Sequence, residues 1–480
     1  MKNTFKFLFA VAAFGLLATG CSKEATDNGI DGGEGEKSYI QLTVTSEIPG
    51  TRGSTTEQAA SDAESAIDDS RPLKVWVFNS DFTLDKAASL SLTETVAGSN
   101  VFISSPIEIG AGSKYFYVFA NDPASGGKIT AATTGITMDA FMKTAITTAN
   151  PGGALDIAVD NAFLLGTSWA QQVTAPAGGT ADAPVTVTVP ALGRLTAKVN
   201  LSDIVYSSKA DHLQGAFSAG QYRIGSLPYK INTVGVYEGA NIPVGNHGVL
   251  VISQAHEYFP TSPFPPLDLT NGGENEYNAT DFLRYASWKA VNTLGDGTNG
   301  AATGKNTNSF YTNENTTKLI NGVGVGTWQY FGNTSYIQIQ TVYAPVAAEL
   351  YSPVTLVAGQ NLAGNGDFWA AEVNGVRILF NAEPEIGTAH EDIDMDTIVK
   401  YEGGKNYHKF AIFDPNESEP EKSNRVLRNH YYEFSITKFN DLGSHTDKVS
   451  PIEPVPTTTT VEIKVQVKNW DKVSSGVQVG

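Results

Sequence analysis

Residues Thr460–Lys468 read TVEIKVQVK, so Val461, Ile463, Val465 and Val467 alternate with Glu462, Lys464, Gln466 and Lys468. A period of two places the four apolar side chains on one face of a half-buried β-strand. The same period recurs backwards along the chain in YYEFSITKF (Tyr431–Phe439), SYIQIQTVYAPV (Ser335–Val346), INTVGVYE (Ile231–Glu238) and RLTAKVNL (Arg194–Leu201). It continues in PVTVTVP (Pro184–Pro190), YFYVFAN (Tyr115–Asn121), LKVWVFN (Leu73–Asn79) and YIQLTVT (Tyr39–Thr45). Short β-branched runs punctuated by turn residues predict an all-β chain built of β-sandwiches. Helical spacing is confined to the short stretches Thr137–Thr148, Ala279–Val291 and Asp392–Val399.

A chain of 480 residues is long enough for two or three such domains. A boundary is expected at SSKADHLQG (Ser207–Gly215), where the strand pattern breaks. The Asn- and Gly-rich stretches Asn271–Asn278 and Leu294–Asn315 suit surface loops. With 32 basic against 50 acidic residues, the formal charge of −18 speaks against a nucleic-acid-binding surface. The one cysteine is Cys21, so the body of the chain has no disulfide, cysteine-based metal site or cysteine nucleophile.

Cys21 closes a leader: Lys2 and Lys6, an apolar run from Phe7 to Ala18, then LLATGC. This is the pattern of a secretory signal, and small residues before a cysteine resemble a bacterial lipobox. After a Gly-, Asp- and Glu-rich tether comes the strand YIQLTVT, with Ile40, Leu42 and Val44 on its apolar face. Next comes PGTRGST, in which Arg52–Gly53 is accessible to an Arg-specific protease. At the other end, Pro451, Pro454 and Pro456 make an extended lead into Val461. The alternation of that last strand is that of an ordinary closing strand of its own sandwich. Its similarity to the strand before Arg52 allows a second reading: cleavage would open a groove that another copy's terminal strand could fill. Such head-to-tail contacts build a filament.

No GxSxG, HExxH, P-loop or dinucleotide fingerprint occurs, and the seven histidines are scattered, so an enzyme is not expected. Asp392, Asp394 and Asp396 alternate as in a calcium loop, but the required Gly and closing acid are missing, so no metal or other cofactor is expected. His430-Tyr431-Tyr432 reads as packing within a strand, and Arg194 as a structural hydrogen-bond donor.

These residues together resemble the major fimbrial subunits of the Bacteroidia, the FimA and Mfa1 type of pilin (type V), with the Mfa1-type shaft pilins nearest. The likeness runs through the lipobox at Cys21, the strand before Arg52, KVWVFN with YFYVFAN, VPALGRLTAKV, and FYTNEN before YIQIQTVYAP. Its most specific part is GGKNYHKFAIF, VLRNHYYEFSITKFNDLG, the proline spacer and VEIKVQVKNW. The resemblance implies two transthyretin-like β-sandwich domains in tandem with few short helices. It divides the chain into a signal peptide (1–21), tether and propeptide strand (22–52), an N-terminal domain (53–208), a C-terminal domain (209–456) and a donor segment (457–480). It further implies lipidation at Cys21, maturation between Arg52 and Gly53, and removal of Ile40, Leu42 and Val44 with their strand. Val461, Ile463, Val465 and Val467 then become donor contacts in strand exchange. The implied partners are other copies of the chain, accessory anchor and tip subunits, and an Arg-specific protease. The implied place is a cell-surface fimbrium that serves adhesion and biofilm formation, with the precursor lipid-anchored at the outer membrane. A monomeric surface lipoprotein that binds glycan or host protein is the alternative, and the dispersed tryptophans give it no aromatic cluster to work with.

Overall fold

The computed structural model describes residues 36–45, 67–99, 101–122, 129, 135–142, 144–147, 163–167, 171–189, 191–228, 230–232, 282–291, 309–315, 331–332, 334–351, 366–374, 376–384, 393–415, 424, 426–450, 453–456 and 458–469. In chain order the first strands are β1 (Lys37–Thr45), β2 (Leu73–Asn79), β3 (Leu84–Leu90), β4 (Leu92–Glu94), β5 (Val101–Ser104), β6 (Ile107–Gly110) and β7 (Gly112–Ala120). Helix α1 (Met138–Met142) precedes β8 (Ala145–Thr147), β9 (Leu165–Gly166), β10 (Gln171–Ala175), β11 (Val185–Thr188) and β12 (Gly193–Arg194). Then follow β13 (Thr196–Ile204), β14 (Ala216–Pro228), β15 (Lys230–Asn232), β16 (Phe282–Tyr285), β17 (Lys289–Ala290), β18 (Phe310–Asn313) and β19 (Tyr336–Ala344). The last are β20 (Leu350–Tyr351), β21 (Phe368–Val373), β22 (Val376–Phe380), β23 (Ile393–Tyr401), β24 (Lys405–Ala411), β25 (His430–Phe439) and β26 (Val461–Asn469).

The fold is all-β, as the alternation requires, and its strands make sandwich-like sheets. One sheet runs β11-β1-β5-β4, with β6 also on β1, and a second runs β12-β9-β7-β2-β3, with β10 also on β7. Their facing side chains make a first core: Ile40, Leu42 and Val44 from β1 meet Val75 and Val77 from β2 and Phe116 and Val118 from β7. Successive residues of a strand point to opposite faces, so Trp76, Phe78, Tyr117 and Phe119 form a second layer on the far side of β2 and β7. Phe141 of α1 covers that layer, its ring centroid 5.1 Å from Trp76 and 5.2 Å from Tyr117. This is the part of the Thr137–Thr148 stretch that is helical; the chain returns to a strand at Ala145.

A further pair of sheets, β18-β13-β25-β26 and β16-β14-β19-β24, encloses another core with Val199, Leu201, Ile224, Ile339, Phe434 and Ile436. The sheet β20-β22-β21-β23 adds Phe368, Ala370, Leu379 and Tyr401 to it. The strand read as the end of the N-terminal domain, Arg194–Leu201, divides between the two cores. Arg194 ends in β12, whereas β13 lies parallel to β25 and antiparallel to β18. Core membership therefore changes between Leu192 and Ala197, ahead of Ser207. Alternation shows that a strand has a buried face but not which neighbour supplies its ladder.

Two helical readings are corrected. Residues 282–285 and 289–290 are strands paired with β14, and Ile393–Tyr401 is β23, paired with β21. IDMDTIVKY satisfies a period of two as well as one of 3.6, and the ladder with β21 decides for the former. Asp394 and Asp396 are exposed on that strand, and no group of three metal-ligating side chains occurs among the described residues.

Candidate assembly site: the first strand and the last

The first strand occupies the middle of its sheet. Ile40, Leu42 and Val44 are all 0% exposed. On one flank β1 pairs in parallel with β11, Ile40 opposite Val185 and Thr43 opposite Thr188. On the other flank it pairs with β6 from Lys37 to Ile40 and with β5 from Thr43 to Thr45. Where the flank passes from β6 to β5, the Ser104 hydroxyl accepts the Leu42 N–H at 2.9 Å. The Tyr39 N–H donates to the Gly179 carbonyl at 3.1 Å, while the Gly179 N–H donates to Ser38 Oγ, also at 3.1 Å. A Cβ on Gly179 would stand 2.1 Å from the Tyr39 oxygen, so only glycine permits this approach. Val189 and Leu192 donate to Thr43 and Thr45 and extend the clasp to the end of the strand. Removing β1 would thus uncover an apolar slot with unpaired backbone on both sides.

The last strand is held differently. Among the described residues β26 is an edge, paired only with β25, with Ile463 opposite Ile436 and Val465 opposite Phe434. Val461 is 1% exposed, whereas Ile463, Val465 and Val467 are half-buried against the second core and Glu462, Lys464 and Gln466 face solvent. The structure thus shows the terminal strand closing its own sandwich, with its inward residues less covered than those of β1.

The approach to β26 is docked rather than free. Arg223 Nη2 and Gln338 Nε2 donate to the Asp447 carbonyl at 2.8 and 3.1 Å. Lys409 pairs with Glu453 at 2.5 Å, the Phe331 N–H donates to the Glu453 carbonyl, and Val449 and Val455 pack on Phe331 and Tyr336. At the root of β26, Asn440 and Asp441 donate to the Thr460 carbonyl, and Thr460 Oγ1 lies 2.7 Å from His408 Nδ1. His408 is buried beside the rings of Phe217 and Phe439, and burial pushes its pKa down to about 3.

His408 therefore stays neutral in the fold. In the unfolded chain it titrates near its ordinary 6.5, so between pH 6.5 and about 3 the unfolded state binds the extra proton and stability falls with pH. The expected result is a smaller loss of melting temperature from about pH 7 to about pH 4.5 in His408→Asn than in the parent protein. An equal loss in both would place the acid sensitivity elsewhere.

Cys21, Arg52 and Gly53 lie outside the described residues, so of the expected site residues the structure describes only the two strands, and it places them in different sheets. Tyr432 is in the second core and Tyr431, its neighbour on β25, reaches the first. Arg194 is buried, with Nη1 3.3 Å from Asn429 Oδ1, as a structural donor. Sequence reading missed Ser104, Gly179, His408 and Thr460, because each acts through a tertiary neighbour that no local pattern reveals.

Residues 399–475 match the family model of the major fimbrial subunit protein type IV, fimbrillin, C-terminal part. A putative cell adhesion protein from Parabacteroides distasonis is similar in structure, with a TM-score of 0.46, 15% identity, and 91% of this chain and 99% of that one covered. For a fimbrilin (FimA) from Porphyromonas gingivalis the figures are 0.43, 14%, 91% and 98%. For the C-terminally truncated tip fimbrial protein Mfa3 of the same organism they are 0.37, 13%, 90% and 100%. No curated protein matches the chain in sequence. The matched stretch contains β24, β25 and β26 whole, so the C-terminal part of the chain is similar to the C-terminal part of the major fimbrial subunit family.

Proposed function

We propose that the chain is a precursor that becomes a filament subunit by giving up its first strand and lending its last. In this reading it is exported as a lipoprotein through Cys21 and held at the outer membrane. Cleavage between Arg52 and Gly53 by an Arg-specific protease frees β1. Val461, Ile463, Val465 and Val467 of a neighbouring copy then fill the slot, while accessory anchor and tip subunits close the ends. In this reading the expected division at 208/209 moves back to the junction of β12 and β13, and residues 457–480 are the donor segment. The observation that carries the reading is β1 itself: a central strand whose apolar face is completely buried, followed in the sequence, seven residues later, by Arg52. Four apolar side chains entering the slot are worth about 6–12 kcal/mol before ordering costs, enough for a lasting joint.

Treating purified precursor with an Arg-specific protease and following it by electron microscopy tests the reading. Filaments should appear only after β1 is released; filaments grown from uncleaved precursor would refute it. A second expectation follows from charge. Residues 1–52 hold five basic and six acidic residues of the chain's 32 and 50, which leaves the remainder at a formal −17. Screening within about 10 Å at 0.1 M salt weakens repulsion between exposed charges. Filaments should therefore bundle more as salt rises, and light scattering insensitive to salt would show that charge does not keep them apart.

A further inference from the structure

Three polar side chains meet at one end of the first sandwich, on strands that a single covalent bond could tie together. Asn79 ends β2 and stands opposite Lys114 of β7 in the antiparallel ladder. Lys114 Nζ donates to Asn79 Oδ1 in a short contact and lies 2.7 Å from Asp85 Oδ2 on β3. The Lys114 side chain is 6% exposed and that of Asp85 20%. Two further features hold the group in place. Asp85 Oδ2 also accepts the Gly110 N–H at 3.0 Å, and a Cβ on Gly110 would stand 2.9 Å from Lys114 Nζ, so a glycine there leaves room for the amine. The Asn79 amide nitrogen donates to Thr83 Oγ1 at 3.0 Å, which turns the carbonyl carbon's other substituent, Oδ1, toward the lysine.

We propose that Lys114 and Asn79 form an intramolecular isopeptide bond, with Asp85 as the proton carrier. A buried amine held against a carboxamide is oriented for attack without further ordering, and a carboxylate on that amine is placed to move its proton. Lys114 passes one ammonium proton to Asp85, and the freed lone pair of Nζ adds to Asn79 Cγ. Asp85 returns that proton to Nδ2 and takes a second proton from Nζ. The Cγ–Nδ2 bond then breaks, ammonia leaves, and the proton on Asp85 follows it. Net, one Lys ammonium and one Asn carboxamide become a secondary amide and ammonium, with no change of oxidation state.

The bond would close a loop between residues 35 positions apart. That loop contains β5 and β6, which line one flank of the β1 slot. The cross-link would bind this flank to the neighbouring sheet while the slot is open, and it would supply a durable brace in a chain with no cysteine beyond Cys21. The bond itself does not depend on the strand-exchange reading; only this role does.

Tryptic peptide mapping of the full chain tests it. The parent protein should give Val75–Lys86 joined to Ala87–Lys128, uncut at Lys114 and about 17 Da lighter than the two peptides together. Lys114→Arg, which keeps the charge, and Asp85→Ala should each abolish the joined species. Recovery of Val75–Lys86 as a free peptide in equal yield from the parent protein would overturn the proposal and leave the three residues as an ion pair. A joined species persisting undiminished in Asp85→Ala would overturn the role given to Asp85.

Discussion

The Arg52→Ala precursor is expected to accumulate as a lipid-anchored monomer, extractable in detergent, and to form no filaments. Its β1 remains in a slot from which nothing pulls it. Ile40, Leu42 and Val44 are completely buried, and at about 1.5–3 kcal/mol each they hold the strand with roughly 5–9 kcal/mol of apolar transfer alone. Ladder bonds on both flanks and the Ser104 and Gly179 contacts add about 0.5–1.5 kcal/mol apiece. A competing strand from solution must displace all of this while bearing its own ordering cost. Cleavage reverses the balance, because a released peptide is diluted away and a neighbour's strand is not. Size-exclusion chromatography of the variant should show one monomeric peak; polymer at parental yield would mean that Arg52 is not the trigger.

A cysteine pair at Ser435 and Lys464 is expected to abolish polymerisation under oxidising conditions and to restore it on reduction. The two residues face each other across the β25–β26 ladder, and opposed residues of an antiparallel pair have Cα atoms about 4.5–5.5 Å apart, within the range of a disulfide. Cys21 is the chain's only native cysteine, so the new pair has no competitor in the mature part. The lock leaves the fold intact and holds β26 on its own domain. The docked lead stays where it is in either state, since its anchors lie before Thr460. Filament yield measured with and without reductant decides the matter: equal yield in both would show that β26 does not leave β25.

What was legible in the sequence follows from what a period of two can say. The alternation in Tyr39–Thr45 and Thr460–Lys468 identified both strands and their inward residues, and the structure buries Ile40, Leu42, Val44 and Val461 accordingly. The alternation could not tell that β1 lies at the centre of a sheet and β26 at an edge, because ladder partners come from residues more than 50 positions away in β1's case. The same blindness hides that Thr196–Ile204 packs in the second core, and it underlies the helical reading of Asp392–Val399, where the structure has β23. Proline predicted an extended lead before β26, but its docking depends on Arg223, Lys409 and Phe331, which no local pattern connects to it. Lys114, Asn79 and Asp85 carried no signal at all, since they converge only when β2, β3 and β7 pair.

The most direct measurement is the density in the slot between β11 and β5–β6 in an electron cryo-microscopy map of assembled filaments. The account predicts that Val461, Ile463, Val465 and Val467 of a neighbouring copy lie there and that no chain precedes Gly53. Finding Tyr39–Thr45 of the same chain still seated between β11 and β5, with β26 still on β25, would contradict it.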